Sequence, residues 1–173
     1  MAGRTPSQTI GPYYRFGLRW TDGARVAFNE KGRAIVLAGR IFDGAGQPVD
    51  DAIIETWQLG PSGTPPTGAA GSSNPFGFGR ADTEKNGAFR FETLMPGGPI
   101  PCIDVTIFSR GLLKALRTRV YLAPESLART DPLIASIAGS ERVKTLVATP
   151  AGPDEYRWDV RLQGEGETVF FEF

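Results

Sequence analysis

The chain has 173 residues, with 19 Lys plus Arg against 19 Asp plus Glu, and it contains no histidine. This length suits one domain with its own core, and we expect residues 1–173 to form a single domain with an N-terminal arm over about residues 1–30. A net charge of zero gives no field that would attract nucleic acid or an anionic membrane. The lack of histidine removes the commonest transition-metal ligand and the usual general base.

Two further features of the composition indicate a cytoplasmic protein. The single cysteine, Cys102, excludes an internal disulfide and a cysteine-cluster metal site, as expected in a reducing compartment. Neither Met1–Gln8 nor any later segment has the apolar run of a signal sequence or a membrane span. We therefore predict a cytoplasmic location without a membrane anchor.

The first chemically informative segment is Thr9-Ile10-Gly11-Pro12-Tyr13. Gly11 has no side chain and the proline after it favours extended backbone, so this segment can approach a ligand closely. An arm packed on a neighbouring chain is the other interpretation, and the two are compatible if the site lies at a subunit interface. Tyr13 and Tyr14 would point apart in an extended segment and make a poor pair of metal ligands.

Twenty-two glycines and 14 prolines divide the rest of the chain into short segments that alternate apolar and polar residues, a pattern typical of β-strands. The clearest strand is Tyr156–Leu162, with Tyr, Trp, Val and Leu on one face. The other predicted strands are Ile35–Phe42, Ala52–Gln58, Ala88–Thr93, Ile103–Phe108, Leu116–Leu122, Thr145–Thr149 and Thr168–Phe173. Together they predict an all-β fold, an antiparallel β-sandwich with long loops and few short helices.

Two turns are predicted where residues tolerate positive φ. Asp43–Gly46 follows the first strand, and Asn86-Gly87 is predicted to close a hairpin between Arg80–Thr83 and the strand after it. Short helices are expected at Glu125–Arg129 and Pro132–Ala138.

The segment Gly60–Gly79 has ten Gly or Pro residues among twenty. So long a loop is expected to be functional, interfacial or mobile. Its Gly77-Phe78-Gly79 precedes a predicted strand rather than a helix, which argues against a phosphate-binding loop.

The chain offers little for independent catalysis. Asp50, Asp51 and Glu55 are close in sequence, but neighbours in a strand point to opposite faces, and we interpret them as solvated turn charges. Arg110 directly follows an apolar strand. Its planar guanidinium can grip a carboxylate at the strand end, or it can be an ordinary surface arginine in a weak ion pair.

Several segments together resemble the intradiol ring-cleavage dioxygenases. They are Thr5–Tyr13, Glu55–Gln58, Phe76–Arg80 leading into Asn86–Phe91, and the tail Gln163–Phe171. Their order and spacing carry the resemblance, which extends from about residue 5 to the C-terminus. Within that family the chain is most similar to the alpha-type subunit, which binds no iron.

The resemblance implies a β-sandwich paired with a homologous beta subunit in a higher-order alpha-beta oligomer. It also implies a reaction in which Fe(3+), carried by the beta subunit, binds protocatechuate, and O2 opens the ring to give 3-carboxy-cis,cis-muconate. The family holds its iron with two tyrosines and two histidines. Those positions fall near Pro65 and Pro99 and at Cys102 and Asp104, so we predict no metal ligands in this chain.

In that family the alpha-type chain lends a Thr-x-Gly-Pro segment and one arginine to the substrate pocket beside the partner's iron. By position these residues are Thr9, Gly11, Pro12 and Arg110. They are the predicted substrate-binding residues, and no catalytic residue is predicted. The alternative hypothesis is a free-standing β-sandwich that serves as a binding or structural module, although such a module has little reason to keep both the arm and Arg110.

The aromatic residues of the strands and tail predict an apolar surface that a partner chain covers. They are Phe89, Phe91, Phe108, Trp158, Phe170, Phe171 and Phe173.

Overall fold

Residues 9–19, 21–70, 74–135, 137 and 140–172 are described by a computed structural model of the chain. Within them the helices are α1 (Tyr14–Leu18), α2 (Glu125–Ala128), α3 (Pro132–Ala135) and α4 (Ser140–Lys144). The strands are β1 (Ala34–Phe42), β2 (Ile53–Trp57), β3 (Ala69–Ala70), β4 (Asn74–Pro75), β5 (Phe78–Asp82), β6 (Ala88–Leu94), β7 (Cys102–Phe108), β8 (Leu116–Tyr121), β9 (Thr149–Pro150), β10 (Glu155–Arg157) and β11 (Val160–Arg161). No helix in these ranges has the length and apolar character to cross a membrane.

Parts of the predicted elements lie outside the described residues. These parts are residues 1–8 and 20 of the arm, 71–73 of the Gly/Pro-rich loop, 136 and 138 of the second predicted helix, and Phe173 of the tail.

Two sheets form the predicted β-sandwich. Sheet I contains β1, β6, β9, β10 and β11, and sheet II contains β5, β2, β7 and β8 in that order. Alternate residues of both sheets meet in one core; in β7 these are Ile103, Val105 and Ile107, each at most 2% exposed. Thr93 of sheet I donates a hydrogen bond of 2.7 Å to the Gln58 side chain at the end of β2, and this bond links the sheets through the interior.

The predicted β-sandwich is confirmed, and one of its two sheets, sheet I, is mixed rather than wholly antiparallel. All pairs in sheet II are antiparallel, and β6 pairs antiparallel with β1. On the other edge of β1, however, β10 and then β11 run parallel to it. Alternation along a strand reports which face is buried but not the direction of the neighbouring strand.

The predicted strand Tyr156–Leu162 is therefore two strands with a break at Trp158 and Asp159. The predicted faces are correct, because Trp158 is 3% exposed and Asp159 points to solvent. Both residues still bond to β1: the Trp158 N–H donates to the Ala38 carbonyl at 2.9 Å, and the Asp159 carboxylate accepts from the Arg40 N–H at 3.0 Å.

The predicted hairpin at Asn86-Gly87 is a turn of a different kind. Gly87 has φ +74°, and its N–H donates to the Glu84 carbonyl at 2.8 Å. Yet β5 pairs with β2 in sheet II, whereas β6 pairs with β1 in sheet I. The turn thus carries the chain from one sheet to the other. The turn predicted at Asp43–Gly46 is confirmed, with the Gly46 N–H donating to the Asp43 carbonyl at 3.1 Å.

The C-terminal part departs most from the predicted strands. Thr145–Thr149 contributes one bridge, Val147 to Tyr121, before the two-residue β9, and the tail contributes one bridge, Phe171 to Arg117. Helices α2 and α3 confirm the two predicted helices in shortened form, and α1 and α4 were not predicted.

A second, smaller apolar cluster explains this departure. It covers the outer face of β8, and it is formed by Tyr121, Ala128, Ile134, Val143, Leu146 and Val169. The helices and the tail therefore fold back onto sheet II instead of extending it.

The expectation of surplus aromatic surface is wrong for three of the predicted residues. Phe89, Phe91 and Trp158 are at most 5% exposed and belong to the chain's own core. Among the described residues, the large exposed aromatic side chains are instead Tyr13, Phe16 and Trp57, at 79%, 72% and 47%.

Gly39 in β1 is required by a close backbone approach. A Cβ atom at this position would lie 1.7 Å from the Trp158 carbonyl oxygen. We expect Gly39→Ala to lower the free energy of unfolding by about 1 to 3 kcal/mol, because β1 must move away from the break between β10 and β11. Urea unfolding followed by tryptophan fluorescence measures this change.

Gly152→Ala is the matched control, because an added Cβ there has its nearest neighbour at 3.7 Å. Equal stability of the two variants would show that the break tolerates a side chain at position 39.

Candidate functional site

The four positions to which the family resemblance assigns iron ligands line one cavity. This cavity of about 520 Å³ lies at the start of β7, and Pro65, Pro99, Cys102 and Asp104 all contribute to its wall. We call it the proline pocket. Cys102 and Asp104 share the outer face of sheet II because their neighbour Ile103 points into the core. Trp57, which is 47% exposed, also lines it.

An arginine lies in this pocket between two carboxylates. The Arg119 guanidinium donates to Asp104 at 2.7 Å and to Asp131 at 2.9 Å. The hydroxyl of Tyr121 donates to the same Asp131 oxygen at 2.8 Å. Asp104 and Arg119 are direct cross-strand partners in the register of β7 and β8, so the sheet itself brings the pair together.

The surroundings of Arg119 and Asp131 favour the charged form of each. Burial alone would lower the pKa of Arg119, but the hydrogen bond and negative charge of Asp104 raise it above its usual value. Burial would likewise raise the pKa of Asp131, yet the Leu133 N–H, Tyr121 and Arg119 lower it below 3.8. Two carboxylates with one guanidinium leave the pocket at most weakly negative.

Cys102 is not a reactive thiol. Burial raises its pKa to about 11, and the small opposing effect of Arg119 does not reverse this. The thiol is therefore protonated near neutral pH and is a poor nucleophile.

Arg110 lies at the other end of β7. Its side chain is 61% exposed and its Nε donates to the carboxylate of Asp51. Ser109 donates to the other oxygen of the same carboxylate at 3.2 Å. The interpretation of Asp51 as a solvated turn charge is wrong, because its side chain is only 19% exposed and is paired. Glu55 is paired as well, with Arg80 at 2.5 Å.

Helix α1 fixes the end of the arm beside Arg110. The Tyr14 hydroxyl donates to the Asp51 carbonyl, and burial, with a smaller effect of the Asp51 charge, raises its pKa to about 12. Arg15 donates to Asp82 at 2.8 Å and to the Thr83 carbonyl at 2.7 Å. The structure therefore brings the arm and Arg110 to the same corner of sheet II.

The predicted substrate-binding residues of the arm are exposed. Thr9, Gly11 and Pro12 all face solvent. A Cβ added at Gly11 meets no described atom within 4 Å, so the described fold of the chain does not itself require glycine there. Tyr13 points away from Tyr14 as expected, although the pair begins a helix rather than a strand.

One chain cannot use both regions on one small molecule. Strand β7 advances six residues from Cys102 to Phe108, about 20 Å at 3.3 Å per residue, and Arg110 lies beyond its end. Arg110 and the proline pocket are thus separate features of the surface, and a substrate bound to Arg110 would meet its reaction centre elsewhere.

Comparison with known proteins gives the family. A family model described as dioxygenase matches residues 11–105. The chain is 36% identical to the protocatechuate 3,4-dioxygenase alpha chain of Burkholderia cepacia over 98% of its length and 97% of that relative. It is 34% identical to the alpha chain of Pseudomonas putida, with 98% and 96% covered. The chain belongs to the intradiol ring-cleavage dioxygenase family.

Two further comparisons fit this membership. The protocatechuate 3,4-dioxygenase beta chain of Burkholderia cepacia is 27% identical over 79% of this chain and 67% of its own length. Among solved structures, the dioxygenase domain of a dioxygenase carbohydrate-binding protein fusion from Streptomyces sp. SirexAA-E has a TM-score of 0.59 at 21% identity. The match covers 92% of this chain and 99% of that domain. The structural match shows the same fold.

The residues of this chain at the four ligand positions do not fit the iron that the family implies. Prolines 65 and 99 have no donor atom, the Cys102 thiol is protonated, and Asp104 is paired with Arg119. In the part of the chain that is described, no three His, Cys, Asp or Glu side chains group together as a metal site would need.

Sequence reasoning missed the residues that arrange both regions. Arg119 could have been found from the register of two adjacent antiparallel strands, which places it opposite Asp104. Asp51 gave no such signal, because its pairing with Arg110 depends on how the ends of β2 and β7 meet.

We expect Arg119→Met to lower the free energy of unfolding of the isolated chain by about 1 to 3 kcal/mol, because Asp131 and Tyr121 lose a charged partner while partly buried. The pKa of Asp131 is lowered in the folded chain from its usual 3.8. The difference between wild type and variant should therefore be full above that pH and shrink as the pH falls through the lower folded value. Urea unfolding at about pH 7 and about pH 3 measures it.

Arg117→Met is the control, since Arg117 is an exposed arginine two residues earlier on the same face of β8. A variant at Arg119 that is as stable as this control would show that the pocket charges do not support the fold.

Proposed function

We propose that this chain is the non-iron-binding alpha subunit of a protocatechuate 3,4-dioxygenase. It completes the substrate pocket next to a ferric site held by a homologous beta subunit. The complex cleaves protocatechuate with O2 to 3-carboxy-cis,cis-muconate, a reaction in which both oxygen atoms enter the product. The similarity to alpha chains over nearly the whole length supports this assignment, and the single cysteine supports a cytoplasmic location.

One observation carries the proposal. The chain presents an exposed arginine and arm at one corner of sheet II, whereas its proline pocket has two prolines, a cysteine and an arginine-paired aspartate where the family has ligands. A chain built in this way can bind part of a substrate but cannot hold the metal. Its 27% identity to a beta chain supports a partner with the same fold.

In this proposal the chain's residues bind and orient the substrate. Arg110 takes the ring carboxylate through charge-assisted hydrogen bonds. The Thr9–Pro12 segment lies against the ring, where Gly11 allows close approach of the backbone. Ferric iron, when bound by the partner, supplies the chemistry that joins the catechol to dioxygen. The exposed Tyr13 and Phe16 lie beside the arm and are expected to be covered in the complex.

The decisive experiment expresses the chain alone and together with a candidate beta chain that carries the His-x-His pair and two tyrosines. Alone, the chain should be colourless, bind no stoichiometric iron and cleave no catechol. The complex should be red-brown, contain iron and consume oxygen with protocatechuate. Stoichiometric iron on the isolated chain would overturn the alpha-subunit assignment, and failure to bind any such partner would favour the free-standing module.

Arg110→Ala should lower kcat/KM for protocatechuate about 10- to 150-fold, because one charged hydrogen-bonding group contributes about 1.5 to 3 kcal/mol. The change should be mostly in KM, since the contact already exists before the transition state. Unsubstituted catechol, which has no carboxylate, should be unaffected, and iron content should stay the same. Steady-state oxygen uptake on the reconstituted complex measures both substrates.

Lys114→Ala is the matched control, because it removes a cation from the same loop. Lys114 is paired with Glu172. An equal loss on both substrates, or no loss on either, would show that Arg110 does not bind the carboxylate.

Gly11→Val should leave the isolated chain folded and as stable as wild type, because an added side chain meets open space there. In the complex it should raise KM for protocatechuate about tenfold or more, since overfilling a packed contact costs about 1 to 3 kcal/mol. Thermal unfolding of the free chain and kinetics of the complex separate the two effects.

Gly17→Ala in α1 also meets open space and serves as the control. Wild-type kinetics for Gly11→Val would remove the arm from the proposed substrate pocket.

A further inference from the structure

We propose that Asp51 is a positioning residue, which holds Arg110 and the end of the N-terminal arm in the arrangement that receives the substrate carboxylate. This inference rests on the proposed function, because it concerns the arginine and the arm assigned there to the substrate. It adds a residue to the site that neither the sequence motifs nor the comparisons indicate.

Asp51 contacts both parts of the substrate-facing corner. One carboxylate oxygen accepts from Arg110 Nε and the other accepts from the Ser109 hydroxyl at 3.2 Å. Its backbone carbonyl accepts from the Tyr14 hydroxyl. Tyr14 also lies 3.4 Å from the Phe108 carbonyl oxygen at the end of β7. A single residue thus connects β7, the Arg110 loop and helix α1.

The contact with Asp51 uses the inner nitrogen of the guanidinium. Within the described part of the chain, neither Nη of Arg110 donates a hydrogen bond to the protein. The two Nη groups carry N–H donors in the planar fork that a second carboxylate can take in a bidentate manner. Asp51 therefore fixes the arginine without occupying its outer edge.

Two opposing effects of Asp51 on substrate binding must be weighed. The carboxylate offsets part of the positive charge of Arg110, which weakens the attraction for the substrate. It also holds a long side chain that would otherwise have to be ordered on binding. Arg110 is 61% exposed, so water screens the charge effect strongly. We infer that the ordering effect is the larger one.

The hydrogen bond from Tyr14 to Asp51 persists over the physiological range of pH. Its pKa is raised to about 12 by burial and then by the charge of Asp51, so the hydroxyl stays a donor to the Asp51 carbonyl. The end of the arm is therefore tied to the residue that holds Arg110 before any partner or substrate is bound.

The test is Asp51→Asn in the reconstituted complex. KM for protocatechuate should rise about 2- to 10-fold with little change in kcat, which is the effect of freeing one side chain that must then be ordered again. KM for unsubstituted catechol should stay unchanged. Titration of protocatechuate into the complex without oxygen should show the same loss of affinity. Asp51→Glu keeps a carboxylate and should recover most of the affinity.

Asp50→Asn is the matched control, because it removes the same charge from an exposed neighbouring residue whose backbone carbonyl accepts from Arg15. A double-mutant cycle then tests the route of the effect. In the Arg110→Ala background, Asp51→Asn should cause no further rise in KM, since a positioning residue acts only through the group it positions.

Each outcome decides between the two proposals. If Arg110→Ala lowers kcat/KM for protocatechuate and catechol equally, or for neither, the proposed role of Arg110 is overturned. If Arg110→Ala does affect protocatechuate specifically, three results would overturn the role of Asp51 alone. The first two are a lower or an unchanged KM for protocatechuate in Asp51→Asn. The third is a full further rise in KM when Asp51→Asn is added to Arg110→Ala. If Asp51→Asn does not fold, as read by circular dichroism, Ser109→Ala replaces it and should raise KM for protocatechuate but not for catechol.

Discussion

The arrangement of this chain depends on how strand β7 is held in the middle of sheet II. Ile103, Val105 and Ile107 are fixed in the core between the sheets, and a shift of one residue would bury Asp104 in their place. That cost locks the register with β2 on one side and β8 on the other. The outer face of β7 and its two ends are consequently rigid features, and they carry the proline pocket and the Arg110 corner.

On the outer face of sheet II, several carboxylates are neutralised by arginine side chains. Glu55, Asp82 and Asp104 are each paired with an arginine, at distances of 2.5 to 2.8 Å. Fifteen of the nineteen basic residues are arginine, whose planar fork suits such pairs better than lysine does. In the proline pocket this pairing of carboxylates with arginine has a chemical result. A permanent cation stands among the residues that would otherwise have to hold a metal ion.

The core strands could be predicted because burial on one face leaves an alternating pattern in the sequence. Ile103–Phe108 and Ala88–Thr93 agree with the structure to within one residue. The parallel pairing of β10 and β11 with β1 could not be predicted, because hydrophobic alternation along a strand is the same whether its neighbour runs parallel or antiparallel. The turn at Asn86-Gly87 was recognised, but its role in joining two sheets depends on the partners that β5 and β6 find elsewhere.

The site was predictable only in part, and for a similar reason. The assignment of Pro65, Pro99, Cys102 and Asp104 to one place came from the family resemblance, and the structure brings all four together. The tail has strand-like alternation in the sequence, yet its described part, residues 168–172, covers α2 to α4 and the outer face of β8. Asp51 acts through its contact with Arg110, 59 residues later, and local patterns do not contain such a contact.

The parallel pairs on β1 have a consequence for how the chain reaches its folded state. Arg40 in β1 bonds to Asp159, 119 residues later, so one edge of β1 has no partner until nearly the whole chain has left the ribosome. Contacts of such long range slow folding, and an open strand edge can pair with other chains in the meantime. Sheet II, built from β2, β5, β7 and β8 within residues 53 to 121, can form first. The nascent protein would then carry the Arg110 corner before its core is closed.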